Sequence, residues 1–150
     1  MSIDKDINQT KFRNDKQKVI INIIYTSNWI NEKIKTVLDK EDITSQQFNI
    51  LRILRGAGKP ISTLQIRQRM MDKMSDTSRI VDRLVVKKLV KKIVCPTDKR
   101  MVDVSITAKG IKLLETLDRS ADEWDAIASS LTKSEAATMN TLLDKMRQSL

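Results

Sequence analysis

The residues best suited to binding a charged partner lie in the middle of this 150-residue chain. Residues 59–100 contain 12 Lys and Arg against 4 Asp, a net charge of +8, whereas residues 1–58 carry +3 and residues 101–150 carry −2. Each phosphate that a cation neutralises releases counterions, so a concentrated basic segment suits a polyanionic partner such as a nucleic acid. A solvated basic surface without a partner is the alternative that the charge alone leaves open.

One predicted helix within this segment combines hydroxyl groups with arginines. Helical rotation of residues 75–88 places the apolar side chains, together with Thr77, on one face. The opposite face carries Ser75, Ser78, Arg79, Asp82 and Arg83, with Asp76 at its edge. Arginine can donate two hydrogen bonds to guanine, and hydroxyls reach bases or phosphates, so this face suits the major groove of DNA. An ordinary amphipathic helix with a solvated face is the alternative.

Two β-branched runs follow this helix and predict a hairpin. Residues 91–95 and 101–107 favour strands, and the charged residues Asp98, Lys99 and Arg100 lie between them. A shorter helix, capped by Ser62 and ending near Met71, precedes the helix at 75–88. Two short helices followed by a charged hairpin are the layout of a winged helix-turn-helix, which binds double-stranded DNA.

The rest of the chain is predicted to be helical, because glycine and proline are rare. The apolar periodicity from Lys18 to Leu38 marks a long helix with more than one apolar stripe. Thr44 and Thr132 each have a Gln or Glu three residues later, as in a capping box. The remaining predicted helices cover residues 44–56, 107–130 and 132–150. The expected fold class is mostly α with one β-hairpin.

The composition argues against several kinds of chemistry. The chain has no histidine and a single cysteine, so no disulfide, zinc site, catalytic residue or cofactor is predicted. It has five aromatic residues, none of them in the basic segment, which is too few for a platform that stacks single-stranded bases. No run approaches the roughly 18 apolar residues of a membrane span, and the first residues have no signal-peptide pattern, so a cytoplasmic protein is expected.

Several separated motifs resemble those of the MarR family of bacterial transcription regulators. That family's recognition helix, wing and following helix resemble the segment MSDTSRIVDRLVVKKLVKKIVCPTDKRMVDVSITAKG. Within it, residues 98–100 resemble the wing-tip D-x-R motif, and residues 106–110 resemble the LTxxG entry into the next helix. Upstream, ITSQQFNILRIL resembles the family's LTxxQ…vL helix. The similarity is densest over residues 43–114 and implies a winged helix-turn-helix fold.

The resemblance implies a role in DNA binding for two groups of residues. Those in the recognition helix, which would face the major groove or its phosphates, are Ser75, Asp76, Thr77, Ser78, Arg79 and Arg83. Those in the wing are Asp98, Lys99 and Arg100. The arginine would enter the minor groove, and the carboxylate of Asp98 would hold its guanidinium in place, which lowers the ordering cost of binding. A structural pair of these two residues that touches no DNA is the alternative.

The resemblance also implies that different parts of the single chain, residues 1–150, have different tasks. Residues 43–110 would form the DNA-binding region, and residues 10–40 and 111–150 would form the helices of a homodimer. Two copies could then recognise a pseudo-palindromic operator with half-sites about one helical turn apart. The expected function is that of a transcriptional repressor. A winged-helix module for protein assembly, contacting an acidic protein, is the alternative.

Members of the family commonly respond to lipophilic ligands or to oxidants. Tyr25, Trp29 and Phe48 are therefore candidate residues of a crevice for a small-molecule effector, with a core role as the alternative for each. Cys95 precedes the wing tip, and nearby lysines would favour its thiolate, so its oxidation could disturb the hairpin. An incidental strand cysteine is the alternative.

Lys88 is a departure from the family pattern. The family usually has glycine at this position, at the end of the recognition helix, where a left-handed backbone is favoured. A lysine there is expected either to cost about 1 kcal/mol or to impose another helix ending, with consequences for the direction of the wing.

Overall fold

The computed structural model describes residues 2–94, 98 and 100–148 and is mostly helical. The helices are α1 (Ile3–Asp6), α2 (Asp15–Asp39), α3 (Ser45–Ala57), α4 (Thr63–Arg69), α5 (Thr77–Val86), α6 (Ala108–Asp118), α7 (Ala121–Ala126) and α8 (Lys133–Arg147). The strands are β1 (Ile61–Ser62), β2 (Val90–Val94) and β3 (Val102–Ile106). The predicted fold class is confirmed. Cys95 and Lys99 lie outside the described residues, as do the predictions made for them.

Local capping interactions begin α3 and α8 where the sequence predicts. In α3 the hydroxyl of Thr44 accepts a hydrogen bond from the backbone N–H of Gln47 at 3.2 Å, and the Gln47 side chain accepts one from the N–H of Thr44. The same reciprocal arrangement joins Thr132 to Glu135 at the start of α8. The pKa of the Glu135 carboxyl is lowered by the hydrogen bonds it accepts from Thr132.

The sheet has three antiparallel strands in the order β1-β3-β2. The predicted hairpin is confirmed, with Val90 opposite Ile106 at one end and Val94 opposite Val102 at the other. Strand β1 was not predicted, because its two residues carry no period-2 signal. It forms because Ile61 pairs with Val104, and both side chains are buried.

A single hydrophobic core joins this sheet to the helices around it. Helix α3 lies at the centre and contacts α2, α4, α5, α6 and β3. Among the described residues, the large side chains with less than 2% of their surface exposed include Leu38, Ile50, Leu51, Leu54, Ile66, Met70, Val81, Leu84, Val104 and Leu114. Burial of this kind contributes about 1.5–3 kcal/mol per side chain, so it fixes the position of α5 against the sheet.

The predicted single helix over residues 107–130 is wrong, because α6 ends at Asp118 and α7 begins at Ala121. The chain tightens between them: the N–H of Ser120 donates to the carbonyl of Leu117 at 3.0 Å, an i to i−3 bond. The carbonyl of Ser120 then accepts from the N–H of Glu123 at 3.0 Å, which begins α7. The apolar period continues across the break, so periodicity did not reveal it.

Two ion pairs hold the region of this break. The guanidinium of Arg55 in α3 donates to the Asp118 carboxylate at 2.6 Å, which lowers the pKa of that carboxyl. The ammonium of Lys40, just after α2, lies 2.8 Å from the Glu123 carboxylate. Because both pairs are largely exposed, they orient α6 and α7 more than they stabilise the fold.

No helix in the part of the chain that the structure describes is both long and apolar enough to cross a membrane. The same residues bring together no group of three or more potential metal-binding His, Cys, Asp or Glu side chains.

The end of α5, the sheet and the start of α6 meet at one junction. The N–H of Thr107 donates to the carbonyl of Leu89 at 3.0 Å, and the Thr107 hydroxyl lies within 2.8–3.0 Å of the carbonyls of Lys88 and Leu89. The same hydroxyl accepts from the N–H of Gly110 at 3.1 Å, which caps α6. A Cβ at Gly110 would lie 2.7 Å from Cγ1 of Ile106 and closer still to the Leu89 carbonyl oxygen. Only glycine allows this close approach.

We expect Gly110→Ala to destabilise the protein by about 2–3 kcal/mol, because backbone at Leu89 must move to admit the methyl group. The matched control is Gly56→Ala. Gly56 is helical and a Cβ there meets nothing within 4 Å, so alanine should stabilise α3 by about 0.5–1 kcal/mol. Urea unfolding of the two variants measures both changes. Equal effects of the two substitutions would contradict the role of the junction.

Candidate nucleic-acid interface

The connection between α4 and α5 is held by side-chain to backbone hydrogen bonds. The carboxylate of Asp72 accepts from the N–H of Met74 at 3.0 Å, and the hydroxyl of Ser75 donates to the Asp72 carbonyl at 2.6 Å. The side chain of Asn49, in α3, accepts from the N–H of Met71 at 3.0 Å. These bonds fix where α5 begins relative to α3 and α4. Helices α4 and α5 and the turn between them therefore form a helix-turn-helix.

Helix α5 begins at Thr77, two residues later than predicted. The carboxylate of Asp76 accepts from the N–H of Arg79 at 3.2 Å and so makes Asp76 the N-cap. Ser75 precedes the helix and is half-buried, with its hydroxyl directed to the turn. Both residues therefore have a structural role at the start of the helix, whatever else they contact.

The burial of Thr77 does not support the expectation that it faces the DNA groove. Its side chain belongs to the buried face of α5, and only 4% of its surface is exposed. The helical rotation of the sequence placed Thr77 on the apolar face, and the structure agrees with the rotation. Ser78, Arg79 and Arg83 are exposed, as a surface that contacts a partner must be.

Two of the three predicted wing residues, Asp98 and Arg100, are among the described residues. The carboxylate of Asp98 accepts from the backbone N–H of Arg100 at 2.9 Å, and the Asp98 carbonyl accepts from the N–H of Met101 at 2.9 Å. The predicted contact to the Arg100 guanidinium is therefore not the one observed. Asp98 instead closes a turn of the backbone, which fixes the root of the Arg100 side chain and leaves its charged end exposed.

A groove of about 470 Å³ joins α5 to the wing. It is lined by Ser62, Thr63, Leu64, Ser78, Val81, Lys92, Arg100, Met101 and Val102. A second groove, of about 390 Å³, runs along the start of α5 and is lined by Thr63, Leu64, Arg67, Met74, Ser75, Asp76, Thr77 and Ser78. Because Thr63, Leu64 and Ser78 line both grooves, α4, α5 and the wing present one continuous surface, which we call the basic surface.

Sequence reasoning missed several residues of the basic surface. Lys92 lies on β2 and pairs with Asp82 of α5, which ties the wing to the recognition helix. Leu64, Arg67 and Met74 come from α4 and the turn after it. The sequence signal that could have found Leu64 is its spacing of two residues from the buried Ile66, which puts it away from the core face.

The end of α5 is a Schellman motif with lysine at the left-handed position. The N–H of Leu89 donates to the carbonyl of Leu84 at 3.0 Å, and the N–H of Lys88 donates to the carbonyl of Val85 at 2.9 Å. Lys88 has φ of 60°, so the structure keeps the glycine-type ending despite the lysine. The direction of the chain into β2 is thus preserved at a conformational cost.

The structure separates the three candidate crevice residues. Phe48 stacks on Trp124 with ring centroids 5.5 Å apart and packs against the core, which supports its core role. Trp29 is 41% exposed and lines a groove of about 270 Å³ between α2 and α7, with Lys33 Nζ lying 5.9 Å from its ring centroid. Tyr25 is also 41% exposed, one helical turn before Trp29. Phe48 is not among the residues that line the Trp29 groove.

The fold and the basic surface together define a winged helix-turn-helix protein. Comparison with known families matches residues 41–101 to a model of the MarR family. The multiple antibiotic resistance protein MarR of Salmonella typhimurium is 29% identical over 127 residues, which cover 83% of this chain and 88% of that protein. The HTH-type transcriptional regulator MhqR of Bacillus subtilis is 28% identical over 131 residues, covering 85% and 87%.

Solved structures agree with the sequence comparisons. A mutant of MarR from E. coli, complexed with operator DNA, superposes with a TM-score of 0.80 at 27% identity, over 91% of this chain and 99% of that chain. The S. aureus MepR–DNA complex gives a TM-score of 0.75 at 26% identity, over 93% and 100%. The chain is therefore similar to MarR-family regulators in sequence over residues 41–101 and in fold over most of its length.

We expect Lys88→Gly to stabilise the protein by about 1 kcal/mol, because glycine adopts the left-handed conformation without the steric cost of a Cβ. Lys112→Gly, in the exposed middle of α6, is the control and should destabilise by about 1 kcal/mol. Thermal unfolding monitored by circular dichroism measures both. A loss of stability in Lys88→Gly would mean that the lysine side chain contributes more than its backbone costs.

Proposed function

We propose that this protein is a homodimeric transcription regulator that binds double-stranded DNA sequence-specifically and has no catalytic activity. The observation that carries the proposal is the basic surface, on which the exposed face of α5 and the wing residue Arg100 adjoin through one groove. Two similar proteins of known structure, MarR and MepR, were solved as DNA complexes. The net charge of +8 over residues 59–100 supplies the attraction to phosphates.

Within this function, each exposed residue has a distinct role. Ser78, Arg79 and Arg83 contact bases or phosphates in the major groove, because they extend from the first two turns of α5. Arg100 enters the adjacent minor groove, with its backbone fixed by Asp98. Residues 43–110 form the DNA-binding region, and residues 10–40 and 111–150 form the dimer region.

The dimer is supported by apolar surface that one chain leaves uncovered. Helix α2 buries only Val37 and Leu38 over its 25 residues, and the described residues of α8 bury none. Large apolar side chains that remain exposed on these helices include Val19, Ile20, Ile24, Tyr25, Trp29, Met139, Leu142 and Met146. Exposed apolar area of this extent marks a protein interface, and a second copy of the chain covers it most simply.

Regulation follows from the same architecture. In the proposed repressor, which acts on DNA in the cytoplasm, a small-molecule effector changes the separation of the two recognition helices. Such a ligand acts only through different affinities for the two states. The groove beside Trp29 is a candidate site for it, because α2 and α7 belong to the dimer region and an aromatic wall with a nearby lysine suits a lipophilic anion.

The first test selects bound duplexes from fragmented genomic DNA of the source organism and measures their affinity over a salt series against scrambled duplex. We expect an inverted repeat, bound at least about a thousandfold more tightly than scrambled sequence. Arg79→Ala and Arg100→Ala should each weaken binding to it by about 1–3 kcal/mol. Lys133→Ala, an exposed position in α8, is the control and should leave affinity unchanged.

Weak binding without sequence preference, disappearing with salt, would contradict the proposal. It would favour a winged-helix module for protein assembly, whose basic surface contacts an acidic protein. Wild-type affinity in Arg100→Ala, with selectivity retained, would contradict only the role of the wing.

Sedimentation measures the dimer directly. At micromolar concentration the protein should have about twice the 17.2 kDa mass of one chain. Ile24→Glu and Leu142→Glu, which place a charge on side chains that are 57% and 58% exposed, should reduce the mass to that of one chain. Val86→Glu, at a residue 81% exposed in α5, is the control and should remain dimeric. A monomeric wild type would contradict the proposed assembly.

A further inference from the structure

The basic surface contains exposed apolar side chains as well as cations. Leu64, a leucine within a helix, is 63% exposed. Met74, which has a long flexible side chain, is 93% exposed. Single exposed apolar residues are common on proteins. These two line the same groove at the start of α5, together with Arg67 and Ser78.

Leu64 is shared by the two grooves of the basic surface. It lines the groove along the start of α5 and also the groove that leads to Arg100. Ile66, two residues later, is fully buried and packs α4 against the core. Leu64 therefore lies on a different side of the helix. The apolar surface of the proposed dimer is on α2 and α8, so it does not account for Leu64 either.

The position of Met74 points to the same occupant. It lies three residues before α5, next to the N-terminal end from which a recognition helix contacts base edges. The turn bond from its N–H to Asp72 fixes its backbone at 3.0 Å, while its thioether side chain is free to adapt its shape. An adaptable apolar group thus lines the same groove as Ser78 and Arg67.

The apolar group that a base pair can present in the major groove is the C5 methyl of thymine, which only A·T and T·A pairs carry. We propose that Leu64 and Met74 contact thymine methyl groups and thereby specify T·A pairs next to the positions that the arginines contact. This inference rests on the proposed function and makes Leu64 and Met74 residues that determine specificity. Packing of the thymine methyl group against these two side chains removes it from water. This burial supplies discrimination between bases that charge alone does not.

The test replaces each thymine of the selected operator, one at a time, by deoxyuridine, which lacks only the methyl group. For at least one thymine in each half-site, wild-type affinity should fall about three- to fourfold, the effect of leaving one methyl group unburied. In the double variant Leu64→Ala, Met74→Ala, the thymine and deoxyuridine duplexes should bind equally. This comparison is a double-mutant cycle across the contact.

Two controls separate the contact from general effects. Val86→Ala changes an apolar residue that is 81% exposed at the far end of α5, and it should keep the full deoxyuridine sensitivity. The thermal midpoint of the double variant should equal that of wild type, because both changed side chains are largely exposed. A lowered affinity with unchanged folding then reports the surface itself.

The outcomes distinguish this inference from the function on which it rests. If no duplex is selected over scrambled sequence, both are overturned. If a duplex is selected but wild type binds every deoxyuridine version as tightly as the original, only the thymine contact is overturned. Sensitivity that persists in the double variant would assign the contact to other residues and likewise overturn the roles of Leu64 and Met74.

Discussion

The junction of Thr107, Gly110 and Leu89 is the constraint on which the arrangement of this molecule depends. One hydroxyl group caps α6 and lies against the carbonyls that end the recognition helix, and the absent side chain of Gly110 lets the Leu89 carbonyl approach. The recognition helix, the wing and α6 are therefore fixed to one another within a few residues. A side chain at Gly110 would meet the Leu89 carbonyl oxygen and the Ile106 side chain, so the chain entering β2, the end of β3 and the start of α6 would have to move apart.

A second set of contacts connects α2 to the DNA-binding region. The ammonium of Lys87, the C-cap of α5, donates to the carbonyl of Asp42 and pairs with its carboxylate at 3.2 Å. Asp42 lies between α2 and α3 in a left-handed conformation, with φ of 49°. The ammonium of Lys109 in turn donates to the Lys87 carbonyl at 3.1 Å. A change in the angle of α2 must therefore move the end of α5 or break these bonds, which gives a physical route from the proposed dimer region to the recognition helix.

Two kinds of surface are concentrated on different elements of the described structure. The exposed face of α5 and the wing carry cations, and α2 and α8 carry uncovered apolar side chains. A polyanion and a second copy of the chain can then bind at the same time without competing. Leu64 and Met74 are among the exposed apolar side chains that lie within the charged region, and the proposed thymine contacts would give these two a ligand.

The sequence by itself determined the features that depend on neighbouring residues. Capping boxes placed the starts of α3 and α8, since a hydroxyl and a carboxamide or carboxylate three residues later interact before any tertiary contact forms. Strand-favouring β-branched residues predicted the two hairpin strands, and the rotation of α5 placed Thr77 on the buried face. The concentration of Lys and Arg in residues 59–100 indicated a polyanionic partner without any structure.

Only the tertiary structure decided the features that join residues distant in the chain. Strand β1 exists because Ile61 meets Val104, and Phe48 is in the core because it stacks on Trp124. The carboxylate of Asp98 binds a backbone amide, a choice of partner that residue spacing does not distinguish from the guanidinium of Arg100. Leu64 lies on the basic surface because α4, α5 and the wing pack together. Such contacts depend on how elements pack in three dimensions, whereas propensity and periodicity describe each element alone.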